Sequence, residues 1–204
     1  APERRLPKIS SFNFNKYLYS TVKEEDRNNC DLVLFLDEFT QFQDIEVGKD
    51  AIDLLTSLGY SIELYHGDSG RALISMGFLK EAQVAALKVV SDLDDLADDK
   101  PIVGLEPSAI LTLRDEFTRF GMETDKVERI KARAFLLEEF LALEMDAGRI
   151  RAEQFTNQAK QIHIHGHCYQ KAISDPDKTA QVLGLPLNYQ VKQIPSGCCG
   201  MAGS

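Results

Sequence analysis

The chain has 204 residues, 44% hydrophobic and 27% charged, enough for one large domain or two small ones around a buried core. Its 23 Lys and Arg against 32 Asp and Glu give a net charge of −9 with no basic stripe, which argues against a nucleic-acid partner. No apolar run approaches the roughly 18 residues of a membrane span, and the opening APERRLPKISSF lacks the apolar centre of a signal peptide, so a cytoplasmic protein without a transmembrane segment is expected.

In chain order, residues 1–30 are mixed and polar, with Phe12, Phe14, Tyr17 and Tyr19 scattered among Asn, Ser and Lys, and read as an arm or linker with a short helix. DLVLFLD (31–37) is a continuous apolar run, the pattern of a strand buried on both faces of a parallel sheet. Val47, Ala51, Leu54, Leu55 and Leu58 then recur at helical spacing, with Gly59 placed to end the helix, and YSIELY is a second strand. LKEAQVAALKVVSDLDDLA is helical by periodicity, PIVGLE is strand-like and SAILTLRDEF opens another helix. Ile130, Ala134, Leu137, Leu141 and Glu144 lie on one line of a long helix predicted from Val127 to Met145. QIHIHGH, DKTAQVLGL and YQVKQIP then repeat strand, helix, strand.

This order predicts an α/β fold with right-handed crossovers, built of two related halves of parallel strands alternating with helices, an internal duplication in Rossmann-like layers. The expected organisation is an arm at 1–30, a first half at 31–126, a connecting helix at 127–160 and a second half beginning at 161–204. The missing initiator Met and the unclosed final loop suggest a piece of something longer.

The four cysteines are too few for a disulfide scaffold. Cys198 and Cys199 are adjacent, and neighbouring Cα atoms lie about 3.8 Å apart, below the roughly 4.4 Å lower limit of a relaxed disulfide, so thiolates are the better reading. Cys30, just before the first strand, reads as a small buried apolar residue.

Sliding the halves by 130 positions brings Asp37 onto His167, Glu38 onto Cys168, Asp68 onto Cys198, Ser69 onto Cys199 and Gly70 onto Gly200. The interval from the single site to the pair is the same in both halves, 38 to 68 in the first and 168 to 198 in the second. Each half would place its single residue at the end of the first strand and its pair in the loop after the second, on the sheet edge where α/β proteins bind ligands. Side chains of adjacent residues diverge on a strand, so a vicinal pair faces one centre only from a turn, for which Gly197 and Gly200 supply the backbone freedom. One tetrahedral zinc favours ligands two to four residues apart, whereas a multi-iron cluster spreads its ligand positions over several ångströms. Thiolate softness suits either.

HCYQKA with GCCGMAGS resembles one copy of the cysteine-rich CCG domain found in a heterodisulfide reductase subunit and in the iron-sulfur subunits of glycolate oxidase and of anaerobic glycerol-3-phosphate dehydrogenase. HGHCYQKA together with IPSGCCGMAGS is similar to the C-terminal end of FAD-linked oxidases of the D-lactate dehydrogenase type. The resemblance spans about residues 31 to 204. It implies that Cys168, Cys198 and Cys199 are iron-sulfur ligands and that a further cysteine lies beyond Ser204, where the same slide carries Glu106 or Ala109. Without that cysteine, the isolated piece is expected to bind iron weakly or not at all. The resemblance further implies an electron-transfer domain of a multidomain enzyme oxidising a 2-hydroxy acid such as D-lactate or glycolate. FAD would sit in a domain outside this chain, that flavin domain and a quinone or other electron acceptor would be the partners, and any membrane association would come through partners. The piece itself would hold no complete active site and no catalytic residue.

The first half departs from the family pattern at every cysteine: Glu38, Asp68 and Ser69 occupy the first three positions, and Glu106 and Ala109 stand in GLEPSAIL where a CxxC would be. Carboxylates bind hard metals, but Ala109 binds nothing, so a cluster-free half kept for its architecture is expected. A cluster-free docking module and a structural zinc site are the alternatives for the whole piece. His163, His165 and His167 alternate along the predicted strand and invite a zinc reading. Only His167 adjoins Cys168, where it would hydrogen-bond a cluster sulfur rather than bind metal.

GDSG at 67–70 resembles a serine-protease string, but that fold is all-β, and the aligned repeat accounts for the string better. The acidic run 91–99 reads as a solvated helix end, and no Gly-x-Gly-x-x-Gly is present to cradle a dinucleotide.

Overall fold

The computed structural model describes residues 8–21, 30–97, 99–195 and 197, and the chain divides into two compact units, Ala1–Ala134 and Phe135–Ser204.

In the first unit α1 (Phe14–Thr21) turns Phe14 and Leu18 inward. β1 (Leu32–Leu36) is buried at all five residues, as its uninterrupted apolar run requires. α2 (Glu38–Phe42) and α3 (Ile45–Ser57) lead to β2 (Ile62–His66). α3 carries Gly48 against α1 because a Cβ there would lie 2.6 Å from the Phe14 ring. α4 (Arg71–Met76) and α5 (Leu79–Ala97) follow, and α5 buries Ala82, Ala86, Val89, Val90 and Leu93, the stripe its periodicity predicts. β3 (Ile102–Gly104) precedes α6 (Pro107–Ile110), two 3₁₀ turns at Leu111–Leu113 and Glu116–Arg119, and α7 (Thr124–Arg133).

β1 pairs in parallel with β2, from Leu32↔Ile62 to Leu36↔His66, and with β3, from Val33↔Ile102 to Phe35↔Gly104. With β4 (Ala134–Leu136) the sheet order is β2-β1-β3-β4, an α/β sheet in which β1, β2 and β3 run parallel and alternate with helices.

The helix predicted over Val127–Met145 is instead α7, β4 and α8 (Leu137–Asp146). Ala134 and Leu136 are buried and Phe135 is not. So short an alternation, set among apolar residues at helical spacing, cannot be told from a helix by periodicity.

The second unit continues from α8 through a 3₁₀ turn at Ala152–Gln154 to β5 (Lys160–Ile164), α9 (Cys168–Ile173), α10 (Asp177–Leu183) and β6 (Tyr189–Gln193). β5 and β6 pair in parallel from Lys160↔Tyr189 to Ile164↔Gln193. α10 packs on α8 and β6. Phe140, Leu141, Ala142 and Ile150 are buried here, while no residue of β5 is.

Both units therefore contain a strand, a short helix, a longer helix and a parallel strand. Sequence periodicity foresees the longer helix alone, since α2 and α9 are too short to display a period.

Candidate functional site

In the first unit the chain leaves β1 directly into Asp37, the N-cap of α2. Its Oδ1 accepts from the Phe39 and Thr40 N–H groups at 2.8 and 3.0 Å, and Oδ2 accepts from Thr40 Oγ1 at 2.8 Å. Burial pushes this carboxyl above its ordinary pKa, against the opposing pull of those hydrogen bonds.

Glu38 is thus the first residue of α2 rather than the last of a strand. Its Oε2 accepts from Ser69 N at 2.9 Å and its Oε1 from Ser69 Oγ at 2.8 Å. Burial again raises the carboxyl, with Ser69 opposing. Ser69 is fully buried, its Oγ accepts from Arg71 N at 3.1 Å, and Asp68 Oδ1 accepts from Gly70 N at 2.8 Å. Gly70 has φ +70°, a left-handed conformation that glycine adopts without strain. Positions 38 and 69, distant in sequence, are joined by two hydrogen bonds.

Glu106 caps α6, its Oε1 accepting from Ser108 N and Oγ, and Ala109 is fully buried. These carboxylates serve backbone and hydroxyl donors, and no group of three His, Cys, Asp or Glu among the described residues is arranged to hold a metal ion.

In the second unit His167 is the N-cap of α9, and its Nδ1 accepts from Tyr169 N at 3.2 Å. Asp37, its counterpart under the slide, plays the same role at α2. Cys168 is the first residue of α9, as Glu38 is of α2, and its thiol is exposed. β5 ends at Ile164, so His165 and His167 lie beyond the strand on which the sequence pattern puts all three histidines. Gln170 is buried, and its Nε2 donates at 2.6 Å both to Glu138 Oε1 and to Thr179 Oγ1, binding α9 to α8 and α10. Burial raises the Glu138 carboxyl. Cys198 and Cys199 lie outside the described residues, but Gly197, bonded to Cys198, is within them. Lys171 Nζ donates to the Gly197 carbonyl at 2.8 Å.

This last contact has a counterpart that motif spacing did not single out. Gln41 Nε2 donates to Leu36 O at 2.7 Å and makes a longer contact of 3.4 Å with Gly67 O. The slide that brings Glu38 onto Cys168 also brings Gln41 onto Lys171 and Gly67 onto Gly197, so the signal was available in the sequence. The correspondence is less regular in the strands: Leu32 pairs with Ile62, whereas Lys160 pairs with Tyr189, an interval shorter by one.

Cys30 is half-buried rather than enclosed. It accepts from Lys100 Nζ at 3.2 Å and faces Glu63 Oε2 at 3.5 Å, and burial raises its pKa.

No protein-family profile and no solved structure matches the chain. Several curated proteins are similar to it. D-2-hydroxyglutarate dehydrogenase of Escherichia coli (strain K12) is 28% identical over 172 residues, covering 82% of this chain and 16% of that protein. The Haemophilus influenzae protein of the same name is 28% identical over 182 residues, covering 84% and 17%. A subunit of the anaerobic glycerol-3-phosphate dehydrogenase of E. coli K12 is 22% identical over 205 residues, covering 98% and 51%. The chain is therefore similar to segments of larger dehydrogenase proteins and spans about a sixth of the D-2-hydroxyglutarate dehydrogenases and half of the glycerol-3-phosphate dehydrogenase subunit.

Proposed function

We propose that this chain is an iron-sulfur electron-transfer domain of a larger flavin-linked dehydrogenase, a CCG-type domain with Cys168, Cys198 and Cys199 as cluster ligands. The observation that carries the reading is the contact between positions 38 and 69 in the first unit. Their counterparts in the second unit are Cys168 and Cys199, and the N-cap and the tether to a glycine carbonyl recur at the same offset. A scaffold that joins 38 to 69 favours the approach of 168 to 199. The similarity to dehydrogenases supports the oxidoreductase setting.

The exposed thiol at Cys168 and the bond from α9 to the Gly197 carbonyl support this reading, and the adjacent cysteines of the sequence would suit separate irons. When bound, the cluster supplies one-electron redox chemistry. The chain's own part is to hold the thiolates at fixed spacing, to orient α9 through Gln170 and Glu138, and to set the local charge. The substrate of the parent enzyme is proposed to be a 2-hydroxy acid, with FAD bound outside this chain and a quinone or similar acceptor receiving the electrons. The first unit is proposed to be cluster-free, with Glu38 and Ser69 bonded to one another where thiolates stand in the second.

The test is anaerobic purification of the full-length polypeptide, followed by iron, sulfide and zinc analysis and visible absorption. Expected are iron and sulfide with charge-transfer absorption in the wild type, lost when Cys168, Cys198 and Cys199 are each changed to Ser. Zinc in their place would favour the structural-metal alternative, and metal-free protein the docking alternative.

A further inference from the structure

β5 and β6 form a parallel pair in which no residue is buried, whereas β1, which the slide of 130 positions brings onto β5, is buried throughout and paired on both edges. Parallel sheets occur with both faces covered, and two strands by themselves are marginal in water. The backbone of β5 identifies its open edge. Lys160 N donates to Asn188 O at 3.2 Å and Ile164 O accepts from Ile194 N at 2.8 Å, so the polar backbone groups of residues 160, 162 and 164 meet β6. Backbone groups of successive strand residues turn to opposite edges, so those of His163 face away from β6, the one strand paired with β5 among the described residues. The equivalent of His163 in the first unit is Val33, and its N–H, on the edge away from β2, donates to Pro101 O at 2.9 Å in the ladder to β3.

We infer that the free edge of β5 is the docking site for a third parallel strand, supplied by the segment about position 232 of the full-length polypeptide, because Val33 pairs with Ile102, 69 residues on, and the same interval from His163 leads there. The curated relatives extend well beyond the matched region, which is 16% of one and 51% of another. Ile162 and Ile164 are half-buried on one face of β5 while Gln161 and His163 are exposed on the other, so the incoming strand is expected to set apolar residues beside the two isoleucines. A second copy of the chain fits the edge less well. Two β5 strands related by a two-fold axis across that edge would run antiparallel, whereas β1 is paired in parallel on both sides. A third strand on β5 does not depend on the cluster reading above, and metal content does not bear on it.

Residue-resolved amide exchange of the full-length polypeptide reads the state of the edge. With the third strand in place the His163 N–H is expected to exchange within about tenfold of the Ile162 and Ile164 N–H groups, which β6 holds. An alternating pattern, with His163 faster by more than that, overturns the inference. A photoreactive amino acid in place of His163 then identifies the occupant. Cross-links to the segment about position 232 are expected. Links between the 163 positions of two copies, or to any other segment, overturn the assignment.

Discussion

The first and second units contain the same strand, short helix, longer helix and parallel strand, yet they bury them to different degrees and arm them with different residues. β1 lies between two parallel partners and is inaccessible at all five residues, whereas β5 has β6 as its one partner among the described residues and no buried residue. The hydrogen bonds that organise the strand ends persist across this difference: an N-cap at 37 and 167, and a side chain reaching a glycine carbonyl from 41 and 171. The end of the sheet is thus specified by local bonds that do not depend on core depth. This leaves the first helical position open to change from carboxylate at Glu38 to thiol at Cys168.

The largest consequence concerns the core. Phe35→Ala, at the buried centre of β1 against Tyr65, is expected to destabilise the first unit by about 3 to 5 kcal/mol. Ile162→Ala, at the half-buried centre of β5, is expected to cost under about 1.5 kcal/mol. Denaturant unfolding of the two variants checks the pair, and equal losses would break the contrast between the units.

A smaller effect concerns the rim carboxylates. Burial raises the Asp37 and Glu38 pKa values, so in the folded state these groups hold protons more tightly than in the unfolded chain. Their contribution to stability is therefore complete below the ordinary carboxylate pKa of about 4 and is lost as pH rises through the raised folded values. Glu38→Gln, which keeps an acceptor for Ser69, should gain stability relative to wild type as pH climbs through that window. A pH-independent difference in melting temperature between the two proteins would contradict the assignment.

Much of this arrangement is legible in the chain. The uninterrupted run at 31–37 identifies the central strand, and the stripe along α5 its core face, because burial on two faces or on one leaves an unambiguous pattern. The slide between the halves pairs the rim positions from sequence alone. What cannot be read are features set by a few local bonds. α2 and α9 are shorter than the window over which a helical period can be seen, so Glu38 and Cys168 are expected at strand ends and are found at helix starts. β4 is hidden in an apolar stretch compatible with helix. The Lys171 tether depends on side-chain reach, which spacing does not encode. The vicinal pair itself lies outside the described residues.

The central claim is that the thiol of Cys168 meets those of Cys198 and Cys199, and a short bifunctional thiol reagent applied to the reduced, metal-free polypeptide tests it most directly. Peptide mapping is predicted to recover Cys168 linked to Cys198 or Cys199 in good yield. Recovery of Cys168 only as a singly modified thiol, with the pair linked to each other or to Cys30, would contradict it.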